Sequence, residues 1–157
     1  MVEMIDFTLC SYCQQRAKFC VFDNTLYPYM RDYGPVWICS PCQAWVGTHP
    51  SGLPLGRLAN KELRDAKIEA HRCFDPLWKD WDVAYPDLRV GSAKIRRVMK
   101  GRAYAWLAEQ IGLSIEATHI GMFGIDECHR VVDIIDKLRP TAATVRAWAK
   151  EREKNVA

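Results

Sequence analysis

The sequence predicts an α+β fold in which a small N-terminal β unit, residues 1–50, packs against a mainly α-helical remainder, residues 51–157. Short apolar runs, separated by polar residues, prolines and glycines, fill the first third of the chain, as in small antiparallel sheets. After the proline- and glycine-rich stretch 47–56, apolar residues recur at helical spacing between capping residues and prolines. A length of 157 residues suits one domain, or a β module joined to a helical one.

Two Cys-x-x-Cys pairs, Cys10 with Cys13 and Cys39 with Cys42, lie in the β unit. Four thiolates at this spacing are the ligand set of a tetrahedral zinc ion. The 25 residues between the pairs form a rather long loop, which is tolerable because the cost of loop closure grows slowly with length. Two disulfides are the alternative, but the hairpin-like sequence between the pairs favours zinc. The sequence therefore predicts one structural zinc ion, because four thiolates leave no open coordination position.

The β unit has apolar runs at residues 18–22, 36–38 and 44–46, and we predict a strand over the first of them. A polar loop with several breakers, residues 23–35, separates the first run from the second. A sheet of this size has too little core to be stable alone. The metal is therefore expected to supply much of its stability.

Capping residues and prolines divide the remainder into four or five helices. We predict helices that begin at Asn60, Asp75, Ser92, Asp126 and Thr141. Asp75-Pro76 is expected to end the first helix, Gly112 the third, and Pro140 the fourth. The third helix includes a basic segment near residues 92–102, and Gly101 inside it weakens helical structure. The last predicted helix, residues 141–154, is highly charged.

Composition indicates a cytoplasmic protein. The chain is 49% hydrophobic and 26% charged, so that it can bury a core, and no apolar run is long enough to span a bilayer. The N-terminal residues lack the basic region of a signal peptide. The cysteine count of seven is odd, and a reducing compartment would keep Cys20, Cys73 and Cys128 as thiols.

Several stretches in combination resemble a known family. They are the two cysteine pairs and the residues 45–49, 54–60, 62–64, 70–71, 74–78, 104–108 and 119–123. Together they resemble an uncharacterised zinc-finger-containing family common in phages and prophages. The resemblance implies zinc binding and a phage-type origin, and it implies no biochemical activity.

The basic segment suggests a nucleic-acid partner, DNA more than RNA. Its cationic residues, with no acidic residue among them, are Arg89, Lys94, Arg96, Arg97, Lys100 and Arg102. Helical spacing would bring Lys94 near Arg97 and Arg96 near Lys100, which forms a stripe able to neutralise phosphates. A solvated helix face is the alternative interpretation.

Aromatic residues beside the zinc unit could add to this interface. Trp37 and Trp45 flank the second cysteine pair, where exposed indole rings could stack on bases or dock onto a host protein. The leading prediction is therefore a zinc protein that binds nucleic acid without catalysis. A host-protein inhibitor or adaptor is one alternative.

A DNA-binding helix-turn-helix is a further candidate, in the residues that follow the basic segment. Residues 107–114 resemble its first helix and turn, and Ser114 would cap the second helix. Thr118 and Gly121 fit poorly, because that second helix normally presents apolar residues at those positions. A helical hairpin that packs only for stability is the preferred interpretation.

A divalent-metal nuclease is the alternative in the enzyme class. His49, Asn60 and His71 follow a Cys-x-x-Cys pair in an order similar to that of the His-Asn-His ββα-metal nucleases. One histidine would be the general base and another a cation ligand, with Asp75 as an additional carboxylate. That motif needs a hairpin before its helix, whereas Asn60 and His71 are predicted to share one helix.

Both histidines have other interpretations. His49 follows Cys42 closely enough to replace a cysteine ligand or to donate a hydrogen bond to a thiolate. His71 could join Arg64 and Lys67 in a helical stripe that binds an anion. A buried structural histidine is the simpler explanation of His71.

Overall fold

The computed structural model describes residues 6–156 and confirms the α+β class. The chain forms two compact units, divided between Asp65 and Ala66. The first contains a three-stranded antiparallel sheet and the second consists of helices. The boundary between the two units lies inside a helix.

The sheet has the order β1-β2-β3, with β1 at Lys18–Cys20, β2 at Val36–Cys39 and β3 at Ala44–Gly47. Strand β1 is shorter than the predicted 18–22. The amide of Asn24 donates to the carbonyl of Val21, so a turn begins directly after Cys20 and ends the pairing. Outside the three paired strands, Ala59 forms an isolated antiparallel bridge with Trp45 of β3.

Two small apolar clusters stabilise the first unit. One consists of Cys10, Ala17, Cys39, Ala44 and Leu58, and the other of Cys20, Val36 and Ile38. Successive residues of a strand point to opposite faces of the sheet, which is why β2 contributes to both clusters. Each cluster is thin, as expected for a sheet whose stability depends on a metal.

Six α-helices lie in the described part of the second unit, and the first of them begins at Lys61, in the first unit. They are α1 at Lys61–Phe74, α2 at Pro76–Lys79, α3 at Trp81–Ala84, α4 at Ala93–Ile111, α5 at Ile125–Leu138 and α6 at Ala142–Asn155. Helix α4 is central and contacts α2, α3, α5 and α6. Its buried residues include Met99, Trp106 and Leu107.

Most of the predicted helix boundaries occur in the structure. The Asn60 and Ser92 side chains accept hydrogen bonds from the amides of Leu63 and Ile95, and Thr141 forms a capping box with Thr144. Gly112 ends α4 with a φ of 77°, a left-handed conformation that glycine adopts without strain.

One boundary differs from the prediction. Helix α5 has Gly124 as its N-cap, and Asp126 lies in the first turn, where its charge complements the helix dipole. Gly101, which weakens helical structure, does not interrupt α4, because apolar residues on both sides of the glycine anchor the helix in the core.

The second helix of the helix-turn-helix candidate is absent, because residues 114–119 form turns. The Ser114 hydroxyl accepts a hydrogen bond from the amide of Ala117, and the Thr118 hydroxyl donates to the carbonyl of Ser114. Such local side-chain bonds compete with helix formation. A short 3-10 turn, Ile120–Met122, then leads toward α5.

Within residues 6–156, no helix combines the length and the apolar character that crossing a membrane requires.

Candidate metal centre and basic surface

Both cysteine pairs lie on tight turns. The amide of Gln14 donates to the carbonyl of Cys10, and the amide of Gln43 donates to that of Ser40. Directly after each pair, Gln14 and Gln43 have positive φ angles of 62° and 52°. For non-glycine residues this left-handed conformation costs conformational free energy. A metal ion bound by both turns would offset that cost.

The four thiols converge on one point. Their sulfur atoms all lie within 4.8 Å of one another, and the Sγ atoms of Cys13 and Cys39 are 3.6 Å apart. A zinc–sulfur bond of about 2.3 Å gives a tetrahedron with edges of about 3.8 Å, whereas a disulfide needs about 2.05 Å. The observed geometry therefore fits a zinc ion, and all four cysteines are free thiols in the structure.

The electrostatics of the cluster disfavour four thiolates in the absence of a cation. The Cys13 side chain, followed by burial, raises the pKa of Cys42 to about 12, and burial raises the pKa of Cys39. Four thiolates this close together repel one another unless a cation neutralises them. Cys10, Cys13, Cys39 and Cys42 thus form a structural zinc site, as predicted.

His49 does not belong to this ligand set. Its side chain is exposed, and its backbone closes a turn through hydrogen bonds with Leu53 and Gly52. In the part of the chain that the structure describes, the four cysteines are the only metal-binding group of three or more histidine, cysteine or acidic side chains. The ligand set therefore consists of the four cysteines, and the interpretation of His49 as a replacement for one of them is wrong.

The two tryptophans beside the cysteines are half-buried. The Trp37 indole donates to the carbonyl of Gly52, and its ring meets Phe19 edge to face with centroids 5.6 Å apart. The Arg64 guanidinium lies 3.3 Å from the centroid of the Trp45 ring and covers one face of it. The indole of Trp45 also donates to the Tyr29 hydroxyl, so both rings are integrated into the first unit.

The basic residues of α4 divide into two groups. Lys94, Arg96, Arg97 and Lys100, which we call the basic stripe, are exposed, and none of them forms an ion pair with a described residue. Lys94 lies near Arg97, and Lys100 lies near both Arg96 and Arg97, at spacings of three and four residues, so that the four cations cover roughly half of the helix circumference. Arg102 differs, because it donates to the Tyr85 hydroxyl and to Glu153 and is only 22% exposed.

A groove beside the basic stripe has a volume of about 320 Å³. It is lined by Arg97, Lys100, Gly101, Tyr104, Ile115 and His119. The rings of Tyr104 and His119 are in contact, with centroids 5.3 Å apart. Burial raises the pKa of Tyr104 to about 12, so its hydroxyl stays protonated. Sequence reasoning missed this groove, because the turns at 114–119 that bring His119 to α4 give no periodic signal.

His71 and Asp75 form a pair on the second unit. The Nδ1 atom of His71 lies 3.3 Å from Asp75 Oδ1, and the Lys79 ammonium lies 2.8 Å from Asp75 Oδ2. The lysine already neutralises the carboxylate that a divalent cation would need. This arrangement therefore offers no additional support for a catalytic metal beyond the order of the residues in the sequence.

The comparisons with known proteins agree with the metal centre. A profile of a zinc-finger-containing domain matches residues 6–138, well over half of the chain. The protein belongs to this family, a family of uncharacterised function. The match confirms the predicted resemblance to an uncharacterised zinc-finger-containing family. Neither the comparison with curated proteins nor the comparison with solved structures found a significant match.

Proposed function

We propose that this zinc protein binds nucleic acid without catalysing a reaction, and that the basic stripe of α4 contacts phosphates. One observation carries the proposal: four exposed cations cover one half of the surface of a helix, with no ion pair to an acidic side chain among the described residues. The segment from Leu88 to Ala108 contains no aspartate or glutamate. Phosphates of a nucleic acid would supply the missing negative charge.

The position of these cations also supports the proposal. Lys94, Arg96 and Arg97 lie near the N-terminus of α4, where the first turn contains no acidic residue. The positive end of the helix dipole disfavours cations in the first turn, which contains Lys94 and Arg96, by about 0.3–1 kcal/mol each. Residues kept at a cost to stability are typical of functional sites, and the same dipole attracts anions.

The distribution of charge points to the same unit. Residues 66–157 contain sixteen basic and thirteen acidic residues, whereas residues 1–65 contain six of each. The net charge of +3 therefore comes from the helical part of the chain. In this proposal the zinc ion stabilises the β unit and takes no part in chemistry, and stacking by Trp37 or Trp45 would use the parts of each ring that remain accessible.

The test is a binding measurement with a matched pair of variants. Arg97→Gln/Lys100→Gln removes two charges from the basic stripe, and Lys150→Gln/Lys154→Gln removes two exposed charges from α6. We expect only the first variant to bind labelled DNA and RNA more weakly than the wild-type protein. The slope of the logarithm of its association constant against the logarithm of the salt concentration should also become smaller in magnitude, by about one for each lost phosphate contact. Equal binding by both variants would contradict the proposal.

The cellular setting is part of the proposal. The thiols of Cys20, Cys73 and Cys128 are free, which suits a reducing compartment such as the cytoplasm. The resemblance to phage and prophage proteins supports a role inside an infected host cell, with DNA as the more expected partner.

A protein-binding adaptor is the second candidate, and a cavity in the first unit favours it. This cavity, about 440 Å³ in volume, is lined by Tyr29, Tyr33, Pro35 and Leu55 among others, and the neighbouring Met30 is 95% exposed. Exposed aromatic and methionine side chains are frequent in protein interfaces. A pull-down from host lysate, with and without nuclease treatment, distinguishes this candidate from nucleic-acid binding.

A nuclease remains the enzymatic alternative, with His49, His71 and Asp75 as its candidate residues. Plasmid incubated with Mg²⁺ or Mn²⁺ tests it directly. Cleavage by the wild-type protein that disappears in His71→Ala would favour the nuclease, and intact plasmid in all samples would remove it.

A further inference from the structure

We propose that the groove beside the basic stripe binds one nucleotide of a single-stranded nucleic acid, with its phosphate at Arg97 and Lys100 and its base against His119. This inference rests on the proposed nucleic-acid binding and adds to it the type of strand. It concerns only residues of the second unit.

The lining of the groove has the two chemistries that a nucleotide needs. Arg97 and Lys100 supply cations one helical turn apart, and both are exposed. The Lys100 ammonium also lies 5.1 Å from the centroid of the Trp78 ring, a contact that limits its mobility. The imidazole of His119 offers an exposed aromatic surface at the same groove, on which a base can stack.

Tyr104 holds the imidazole in place from behind. Its ring contacts both His119 and Phe74, with centroids 5.3 Å and 4.6 Å apart. Phe74 is fully buried, so that the row of three rings is anchored in the core. A base that stacks on His119 therefore meets a ring that is already positioned, which lowers the entropic cost of binding.

Gly101 keeps the groove open. It lies in the middle of a helix, where glycine is unfavourable, yet no atom lies within 4 Å of the position that a Cβ would occupy. Core packing therefore does not require glycine at this position. The open space above Gly101 belongs to the groove, and a ligand there can approach the helix backbone closely.

The geometry selects single strands. In a duplex the bases are stacked on one another and paired, and the His119 ring at the groove reaches them only after costly unstacking. In a single strand every base has an accessible face. The groove volume of about 320 Å³ lies at the lower end of the range for small-ligand sites, which suits one nucleotide.

The experiment compares three labelled probes: a short oligothymidylate, an oligouridylate of the same length and a blunt mixed-sequence duplex. Affinities are measured for wild-type protein and for the variants His119→Ala, His119→Tyr, Gly101→Ala and His129→Ala. His129 is an exposed histidine on α5 and serves as the matched control. Circular dichroism and thermal unfolding show that each variant is folded.

We expect the wild-type protein to bind at least one single-stranded probe more tightly than the duplex. His119→Ala should weaken single-strand binding about tenfold, in line with the loss of one stacked base, and His119→Tyr should retain it. Gly101→Ala should weaken single-strand binding while the melting temperature stays the same or rises. His129→Ala should have no effect.

The outcomes separate this inference from the proposed function. Duplex binding as tight as single-strand binding, or no effect of His119→Ala and Gly101→Ala, would overturn the inference. If Arg97→Gln/Lys100→Gln still weakened binding in that case, the proposed function would stand without it. No binding of any probe by the wild-type protein would overturn both.

Discussion

The Arg102 guanidinium donates a hydrogen bond to Glu153 at 3.0 Å, which links α4 to α6. Arg102 belongs to the basic segment of the sequence, for which we predicted contacts with phosphates. Its guanidinium is instead hydrogen-bonded within the protein, to Glu153 and to the Tyr85 hydroxyl. Its neighbours Arg96, Arg97 and Lys100 have no ion pair among the described residues. The basic segment thus contains both a structural cation and a group available to a ligand.

Replacing Arg102 should therefore affect stability more than binding. We expect Arg102→Gln to lower the free energy of unfolding by about 0.5–1 kcal/mol, because Glu153 is 64% exposed and water screens the pair. Urea denaturation measures the loss, and a salt titration of nucleic-acid binding should give the wild-type slope. A slope reduced by about one would instead place Arg102 among the phosphate contacts.

Removal of zinc should unfold the first unit. The two apolar clusters of this unit are small, and binding of structural zinc contributes about 10–16 kcal/mol in isolated zinc fingers. We expect one zinc per chain by elemental analysis, and loss of the tertiary signal of Trp37 and Trp45 after chelation.

Single cysteine variants refine this test. Cys39→Ser should lose the metal, whereas Cys73→Ser, which alters a half-buried thiol outside the ligand set, should retain it. A protein that keeps its fold and its tryptophan signal without metal would show that the zinc ion is dispensable.

Asp75 should contribute stability that depends on pH. Burial favours its protonated form, but the hydrogen bonds from Lys79 and His71 outweigh burial, so that the pKa of Asp75 lies below its ordinary value. A carboxylate with a lowered pKa stabilises the folded state above about pH 4, and this contribution is lost as the pH falls through the folded-state pKa.

We therefore expect Asp75→Asn to lower the free energy of unfolding by about 0.5–1 kcal/mol at neutral pH, with the deficit shrinking in acid. Denaturation curves from pH 7 down to about pH 3 measure this. Asp133→Asn, on an exposed position of α5, should have little effect at any pH. A deficit for Asp75→Asn that persists unchanged in acid would contradict the pairing with Lys79 and His71.

Gly101→Ala should stabilise the helical unit. Alanine is favoured over glycine in a helix interior by about 0.8–1.0 kcal/mol, and the added Cβ meets no atom within 4 Å. Thermal unfolding should show a higher melting temperature. A lower melting temperature would mean that the glycine is needed for folding and would remove the argument that it serves a ligand.

Part of this structure was predictable because local chemistry determines it. The cysteine spacing specified the zinc ligands, and Asn60, Ser92, Gly112 and Thr141 marked helix ends, since capping depends on residues a few positions apart. The prediction of Asp126 as an N-cap was wrong, because an acidic residue suits both the N-cap and the first turn of a helix.

The groove was not predictable, because it depends on contacts between distant residues. The ring of His119 contacts that of Tyr104 because the turns at residues 114–119 bring the chain back to α4. The path of these turns depends on tertiary packing and not on local sequence. In the same way, the sequence grouped Arg102 with the stripe, and only the position of Glu153 on α6 separates them. Helical spacing identifies neighbours on one element and gives no information about partners on another.

The salt dependence of nucleic-acid binding tests the central claim most directly. The affinity of the wild-type protein for duplex DNA and for single strands should be measured over a series of salt concentrations. If all four residues of the basic stripe contact phosphates, the logarithm of the association constant should fall with a slope of roughly −3 to −4 on duplex DNA and slightly less on single strands. Binding that does not change with salt, or no binding at low salt, would contradict the claim.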